Sequence, residues 1–211
     1  YMVKIQKPKF INLEDVQDFY DEVIYAEEIV SKIVEGYSIE GKNERGLTID
    51  SCKFKNVVFT NCSFENLDLI DTRFESCDLS NVNLSNSGIH RVEFVNCKLV
   101  GTRFDESNIK DVLIKDSIGR YSNFSFSKVN GMNILNSDFE EATFQEVKHK
   151  KLSVEESSFI NAYCNKTSFE KVDLTSCDID GINVDIEDVR GAIVTTMQAL
   201  HLTKLLNLQI K

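Results

Sequence analysis

From Ile49 to Val194 a hydrophobic side chain returns every five residues. The series runs Ile49, Phe54, Phe59, Phe64, Leu69, Phe74, Leu79, Leu84, Ile89, Phe94, Leu99, Phe104, Ile109 and Ile114. After Gly119 it resumes at Phe124 and passes through Phe139, Phe144, His149, Val154, Phe159, Cys164 and Phe169 to Val194. Two positions before most of these stands a small or β-branched residue, as at Cys52, Val57, Cys62, Thr72, Ser87 and Val92. A period of five fits neither the 3.6 of a helix nor the 2.0 of an ordinary strand. It predicts a solenoid that turns one corner per pentapeptide, with the large residue filling the axis and the small one packing beside it. The second residue after the large one is often Asn, Asp, Gly or Ser, as at Asn56, Asn61, Asn66, Asp71, Asn81 and Gly101. Such residues tolerate the turn conformation a corner needs.

The units CKFKN, VVFTN, CSFEN, TRFES, CDLSN and VNLSN resemble the A(D/N)LXX pentapeptide-repeat family, over roughly residues 45–195. The resemblance implies an all-β solenoid, a right-handed quadrilateral β-helix of pentapeptide repeats with short α-helical terminal caps. Four pentapeptides then make one coil, and side chains twenty residues apart stack. Phe54, Phe74, Phe94, Ile114, Ile134 and Val154 form one expected column, and Phe59, Leu79, Leu99, Gly119, Phe139 and Phe159 its neighbour.

The expected organisation is an N-terminal cap over residues 2–45, the repeat over 46–195, and a C-terminal helical cap and dimerisation segment over 196–211. Asn12 followed by Asp15, with Leu13, Val16, Phe19 or Tyr20, and Val23 on one face, predicts a short N-terminal helix. Ile29, Val34 and Ile39 share the five-residue register, so residues 25–45 read either as a degenerate first coil, interrupted at Glu44, or as helix. At the other end Thr195 or Thr196 is placed to N-cap a helix carrying Met197, Ala199, Leu200, Leu202, Leu205 and Leu206, with Leu206 to Ile210 extending beyond it. The last coil of a solenoid exposes apolar side chains and unpaired backbone. This segment is expected to cap it and, through its surplus apolar surface, to join two copies about a twofold axis; a cap alone is the alternative.

The formal net charge of −10 argues against direct nucleic-acid or anionic-membrane binding. With no signal-peptide pattern and no apolar run of membrane-spanning length, a cytoplasmic location is expected. Distributed over four sides, the acid is uneven. The side made of 57–61, 77–81 and their successors holds Asp78, Asp138, Glu140, Glu141, Asp178 and Asp180 against Lys98 and Arg120. The next side holds Glu65, Asp105, Glu106, Glu146 and Asp185 against Arg103 and Lys166. The side containing 147–151 is about neutral in sum. These eleven carboxylates are the candidate partner-binding residues.

Chemistry has fewer candidates. All six cysteines fall on inward positions, without a C-x-x-C pair, and read as core thiols rather than disulfides or metal ligands. His149 occupies a large inward site within Lys148-His149-Lys150-Lys151, which predicts a local bulge or a poorly filled site beside a solvated basic patch. Gly119 vacates a large site, and Arg120, Tyr121 and Phe126 surround the break. Either Tyr121 or Phe126 folds over the gap, or the three form an exposed partner-binding spot. No phosphate loop, HExxH or GxSxG pattern occurs, so neither catalysis nor a cofactor or metal is expected.

The uninterrupted helix, acidic surface and leucine-rich C-terminal segment resemble the quinolone-resistance (Qnr-like) branch of the family. That resemblance implies a non-enzymatic homodimeric rod that mimics DNA and binds bacterial type II topoisomerase, DNA gyrase or topoisomerase IV, protecting it from quinolones. The loop insertions that carry protection in proteobacterial members are lacking here. A generic interaction scaffold of the same fold is the alternative.

Overall fold

The structure, a computed structural model, describes residues 2–206. The chain winds into a β-solenoid of about seven turns. The first coil contains β2 (Glu28–Val30), β3 (Lys32–Glu35) and β4 (Ser38–Glu40), after a two-residue strand β1 (Glu14–Asp15). The second contains β5 (Thr48–Asp50), β6 (Lys53–Lys55) and β7 (Val58–Thr60). Thereafter the first two sides of each coil merge into one eight-residue strand: β8 (Asp68–Glu75), β9 (Gly88–Val95), β10 (Asn108–Lys115), β11 (Lys128–Leu135) and β12 (Lys148–Glu155). From β2 onward every pairing is parallel and joins residues twenty apart, as in Phe54↔Phe74 and Ile109↔Val129. On the third side β4 pairs with β7, and beyond that the third and fourth sides are joined by single bridges such as Val58↔Asp78 and Ser63↔Asn83.

The five-residue period sets this geometry because the corners fall on residues that accept positive φ. Asn56, Asn61, Asn66 and Asp71 have φ of 51°, 52°, 59° and 47°, the left-handed region that short polar side chains tolerate best among L residues. Between corners the large residues point to the axis and are buried. Phenylalanine rings stack coil upon coil, Phe54 on Phe74 on Phe94 at 4.9 and 5.1 Å and Phe104 on Phe124 on Phe144 at 4.6 and 4.9 Å. These distances lie close to the strand spacing of about 4.8 Å. Neighbouring columns meet edge-on, as Phe94 meets Phe104. The six thiols are buried among them, and burial pushes Cys52 up to about 11.

Gly119 leaves the coil intact. A Cβ there would lie 2.3 Å from Phe139 Cε1, so the ring from the following coil occupies the vacated volume. The Gly119 N–H still donates to Asp138 O at 2.6 Å. Neither Tyr121 nor Phe126 folds over the gap; both are exposed. His149 likewise causes no bulge, since it pairs in register with Val129.

The N-terminal region departs from the expected helix. Residues 28–47 form a true first coil, with Ile29, Val34 and Ile39 buried. Glu44 points outward at its fourth side, while the buried Lys42 donates to Ile24 O and Ala26 O at 2.8 and 3.1 Å. The end is closed by Val16, Phe19 and Val23 around a π-helical turn, Tyr20–Ile24, with Phe19 stacked on Tyr37 at 4.1 Å. Backbone geometry explains the absence of a longer helix: Asn12 has φ 47°, and β1 pairs with β3 at an offset of eighteen residues.

Residues 2–11 form an arm along the outside of the rod. The Val3 N–H donates to Asn133 Oδ1, and Asn133 Nδ2 donates back to Val3 O, at 3.0 and 2.9 Å. Ile5 passes over Gly131, where an added Cβ would meet Ile5 Cγ2 at 3.2 Å. The Lys9 N–H donates to Asp71 Oδ1 at 2.8 Å, and Lys53 Nζ lies 4.6 Å from the Phe10 ring centre. The contacts cross four coils, about 19 Å at the sheet spacing, which the chain from Val3 to Phe10 can cover at roughly 3.3 Å per residue.

Asp71 anchors the arm and accepts two hydrogen bonds of 2.5 Å from Arg91. Burial works to raise its pKa, but the Arg91 guanidinium and the Lys9 N–H together hold it below the usual carboxylate value. A lowered folded-state value means stability that is complete above about pH 4 and lost as the pH falls through that value. Asp71→Asn is therefore expected to loosen the arm, so that trypsin cuts after Lys4 and Lys9 several-fold faster, read by mass spectrometry. Wild-type and variant melting temperatures should converge as the pH falls through the lowered Asp71 value.

Candidate interaction surfaces

The solenoid arranges its acid in two adjacent sides. On the third, Asp138 and Glu140 both pair with Arg120, at 2.7 and 3.1 Å, and Asp78 with Lys98 at 3.6 Å. Asp180 meets His201 Nδ1 at 2.6 Å. On the fourth, Glu146 pairs with Lys166 at 2.9 Å and Glu65 with Arg45 at 3.8 Å. Asp105 is buried against Arg103 and offers a partner little. Glu106, Glu141, Asp178 and Asp185 form no ion pair among the described residues and are the acids most available to a partner.

Tyr121 and Phe126 sit on successive corners of one coil, bordering the third and fourth sides. Both are exposed and have φ of 59° and 62°. A bulky residue held in this region costs on the order of 1–3 kcal/mol, and neither ring gains a buried position in return. Arg120 stands between the acids and Tyr121. The sequence placed these three together, and the structure puts both aromatic rings on the surface, Tyr121 where the two acidic sides meet and Phe126 where the fourth side meets the first.

Charge on the first side was concealed by summing along the rod. Over residues 107–151 its outward positions hold Lys110, Lys128, Lys148, Lys150 and Lys151, and the single carboxylate, Asp111, is buried. Counting charge coil by coil would have exposed this basic segment in the sequence. A groove of about 750 Å³ lies among Lys110, Lys128, Lys148, Lys150 and Lys166.

The C-terminal end separates its apolar residues by role. Helix α1 (Thr196–Leu202) is N-capped by Thr195, whose hydroxyl accepts from the Gln198 N–H, and Gln198 completes a capping box. Gln198 Nε2 also donates to Leu174 O and Cys177 O, both at 2.8 Å, satisfying carbonyls of the last coil. Leu202 and Leu205 pack against the core. Met197, Leu200 and Leu206 are exposed, together with Ile186 and Ile193. The extension expected toward Ile210 lies outside the described residues.

The sequence profile of the pentapeptide repeat region matches residues 47–124 and again, one coil further, 67–144. The chain belongs to the pentapeptide-repeat family. Among solved pentapeptide-repeat proteins it is similar to a trypsin-treated form of QnrB1, described as a plasmid-mediated fluoroquinolone resistance protein. The identity is 20%, over 85% of this chain and 97% of that one, with a TM-score of 0.49. It is also similar to HetL of the cyanobacterium Nostoc sp. strain PCC 7120, described as involved in heterocyst differentiation regulation. There the identity is 13%, over 89% of this chain and 92% of that one, with a TM-score of 0.41. No curated protein matches the sequence. Among the described residues of this pentapeptide-repeat protein no helix is long and apolar enough to cross a membrane.

Proposed function

We propose that this pentapeptide-repeat protein is a non-enzymatic, protein-binding rod that occupies the DNA-binding surface of a bacterial type II topoisomerase, with two copies joined through their C-terminal ends. The observation that carries the proposal is the concentration of acid on two adjacent sides, with an exposed and strained aromatic pair, Tyr121 where they meet and Phe126 at the outer edge of the fourth. A surface that grips duplex DNA is basic, so it attracts such a rod. DNA gyrase and topoisomerase IV enter as candidates through the family resemblance.

Magnitudes decide how the rod binds. Seven to eight coils give a length of roughly 36 Å, along which duplex DNA presents about 20 phosphates. The rod opposes these with eleven carboxylates, of which Asp105 is buried and several are already paired. Charge steers the encounter, while Tyr121 and Phe126 supply apolar anchoring that phosphates lack. The exposed Met197, Leu200 and Leu206 suit a twofold contact, and Leu202 and Leu205 serve the cap. The sparse acid also favours a second reading, an interaction scaffold for another partner.

The test is supercoiling by purified gyrase with increasing protein at two salt concentrations, with and without a quinolone. Inhibition or rescue that weakens with added salt is expected. Absence of inhibition, rescue and binding rejects gyrase as the partner.

A further inference from the structure

The sheet ends inside the solenoid. β12 pairs with β11 on one side, and residues 168–175 of the next coil form no strand against the other. Earlier coils donate across this interval, Ser51 N–H to Ile70 O at 3.2 Å and Asn56 N–H to Glu75 O at 3.0 Å. At β12 the edge is instead flanked by two clefts. The first-side groove of about 750 Å³ places Lys148, His149 and Lys150 opposite Ser168 and Glu170. A second-side cleft of about 460 Å³ places Leu152, Val154 and Glu156 opposite Lys171, Asp173 and Thr175. His149 Nε2 reaches Ser168 O at 2.5 Å across the first-side portion.

A strand edge without a partner strand is a template for another strand; the two ends of this one stay tied to the next coil, where the Val147 and Glu156 N–H groups donate to Thr167 Oγ1 and Ser176 Oγ at 2.9 and 3.1 Å. This one is selective by charge. Lys148 and Lys150 are exposed two residues apart, about 6.8 Å along an extended chain, the repeat of alternate side chains on an added strand. Opposite charges paired across strands stabilise the pairing, and like charges oppose it. Lys128 and Lys110 continue the positive potential down the groove, whose volume lies within the range of about 300–1,000 Å³ found for specific clefts.

We infer that the first-side groove at the β12 edge binds an extended acidic segment of a partner protein, which adds as a strand with alternate Asp or Glu side chains on Lys148 and Lys150. A nucleic acid is disfavoured because it has no use for the strand edge. The lysines from Lys110 to Lys150 also cover only two coil spacings, about 10 Å, before the acid of the fourth side begins. This surface faces away from the third side and adjoins the fourth, whose Lys166 lines the groove and pairs with Glu146.

The probe is a fluorescein-labelled decapeptide alternating Glu with Val, titrated by anisotropy into the full chain. Three controls accompany it: a Lys-Val counterpart, an analogue with alternate Pro, and a ten-residue oligothymidylate. Binding by the acidic peptide alone is expected, weakened at least tenfold by Lys150→Glu and several-fold by the milder Lys110→Gln, with unchanged melting temperatures. Hydrogen exchange of the β12 amides should slow on binding. No binding of the acidic peptide, equal binding of the proline analogue, or tighter binding of the oligothymidylate would overturn the inference.

Discussion

Phe139→Ala is expected to remove about 4 kcal/mol of stability, in the middle of the range for a buried phenylalanine. Phe139 is fully buried, stacks on Phe159 at 5.9 Å, meets Phe124 edge-on at 6.0 Å and lies tilted against Phe144 at 5.7 Å. Its ring also fills the volume that Gly119 leaves empty. Truncation therefore opens a cavity spanning two coils, and its walls are held apart by the inter-coil hydrogen bonds. Gly119→Leu should be damaging too, by roughly 1–3 kcal/mol for overpacking, because even its Cβ enters the Phe139 ring. Pairing Gly119→Leu with Phe139→Leu restores the usual one side chain per coil and should recover much of both losses. Urea unfolding of the wild type, Gly119→Leu, Phe139→Leu and the double variant gives the coupling, expected to exceed about 1 kcal/mol. A Gly119→Leu protein with an unchanged midpoint would show that Phe139 does not fill the gap.

The second large effect concerns binding. Replacing Tyr121 and Phe126 together by Asn is expected to lower affinity for gyrase by about 30-fold, equivalent to about 2 kcal/mol for a small hot spot. The same change should leave the melting temperature equal or higher, because Asn accepts positive φ more readily than either aromatic. A loss of affinity without loss of stability separates a contact from a folding defect. Reversing Asp138, Glu140 and Glu141 to Lys should weaken binding mainly through the association rate and flatten its salt dependence. Unchanged affinity on surface plasmon resonance would move the contact to another side.

The five-residue period alone specifies inward and outward positions and corners, because a chain that turns every fifth residue leaves one register that buries the phenylalanines. The columns and the buried thiols were accessible at that level. So was the uneven acid, since twenty-residue stacking converts residue number into a side of the rod. The ion pairs that occupy Asp138, Glu140 and Glu146 needed side-chain geometry. The N-terminal region was obscured because apolar positions such as Leu13, Val16 and Phe19 fit a helix face as well as an irregular cap. The arm was hidden for another reason: Val3, Ile5 and Lys9 carry no five-residue signal, and their partners Asn133, Gly131 and Asp71 are remote in sequence. At Gly119 the sequence marked an empty site, but only packing could assign its volume to Phe139, a ring that reaches over from the neighbouring coil. The uncovered edge of β12 was likewise decided in three dimensions, because strand ends depend on whether the next coil returns its hydrogen bonds, whereas the repeat continues through Phe169 and Leu174 with no change of period.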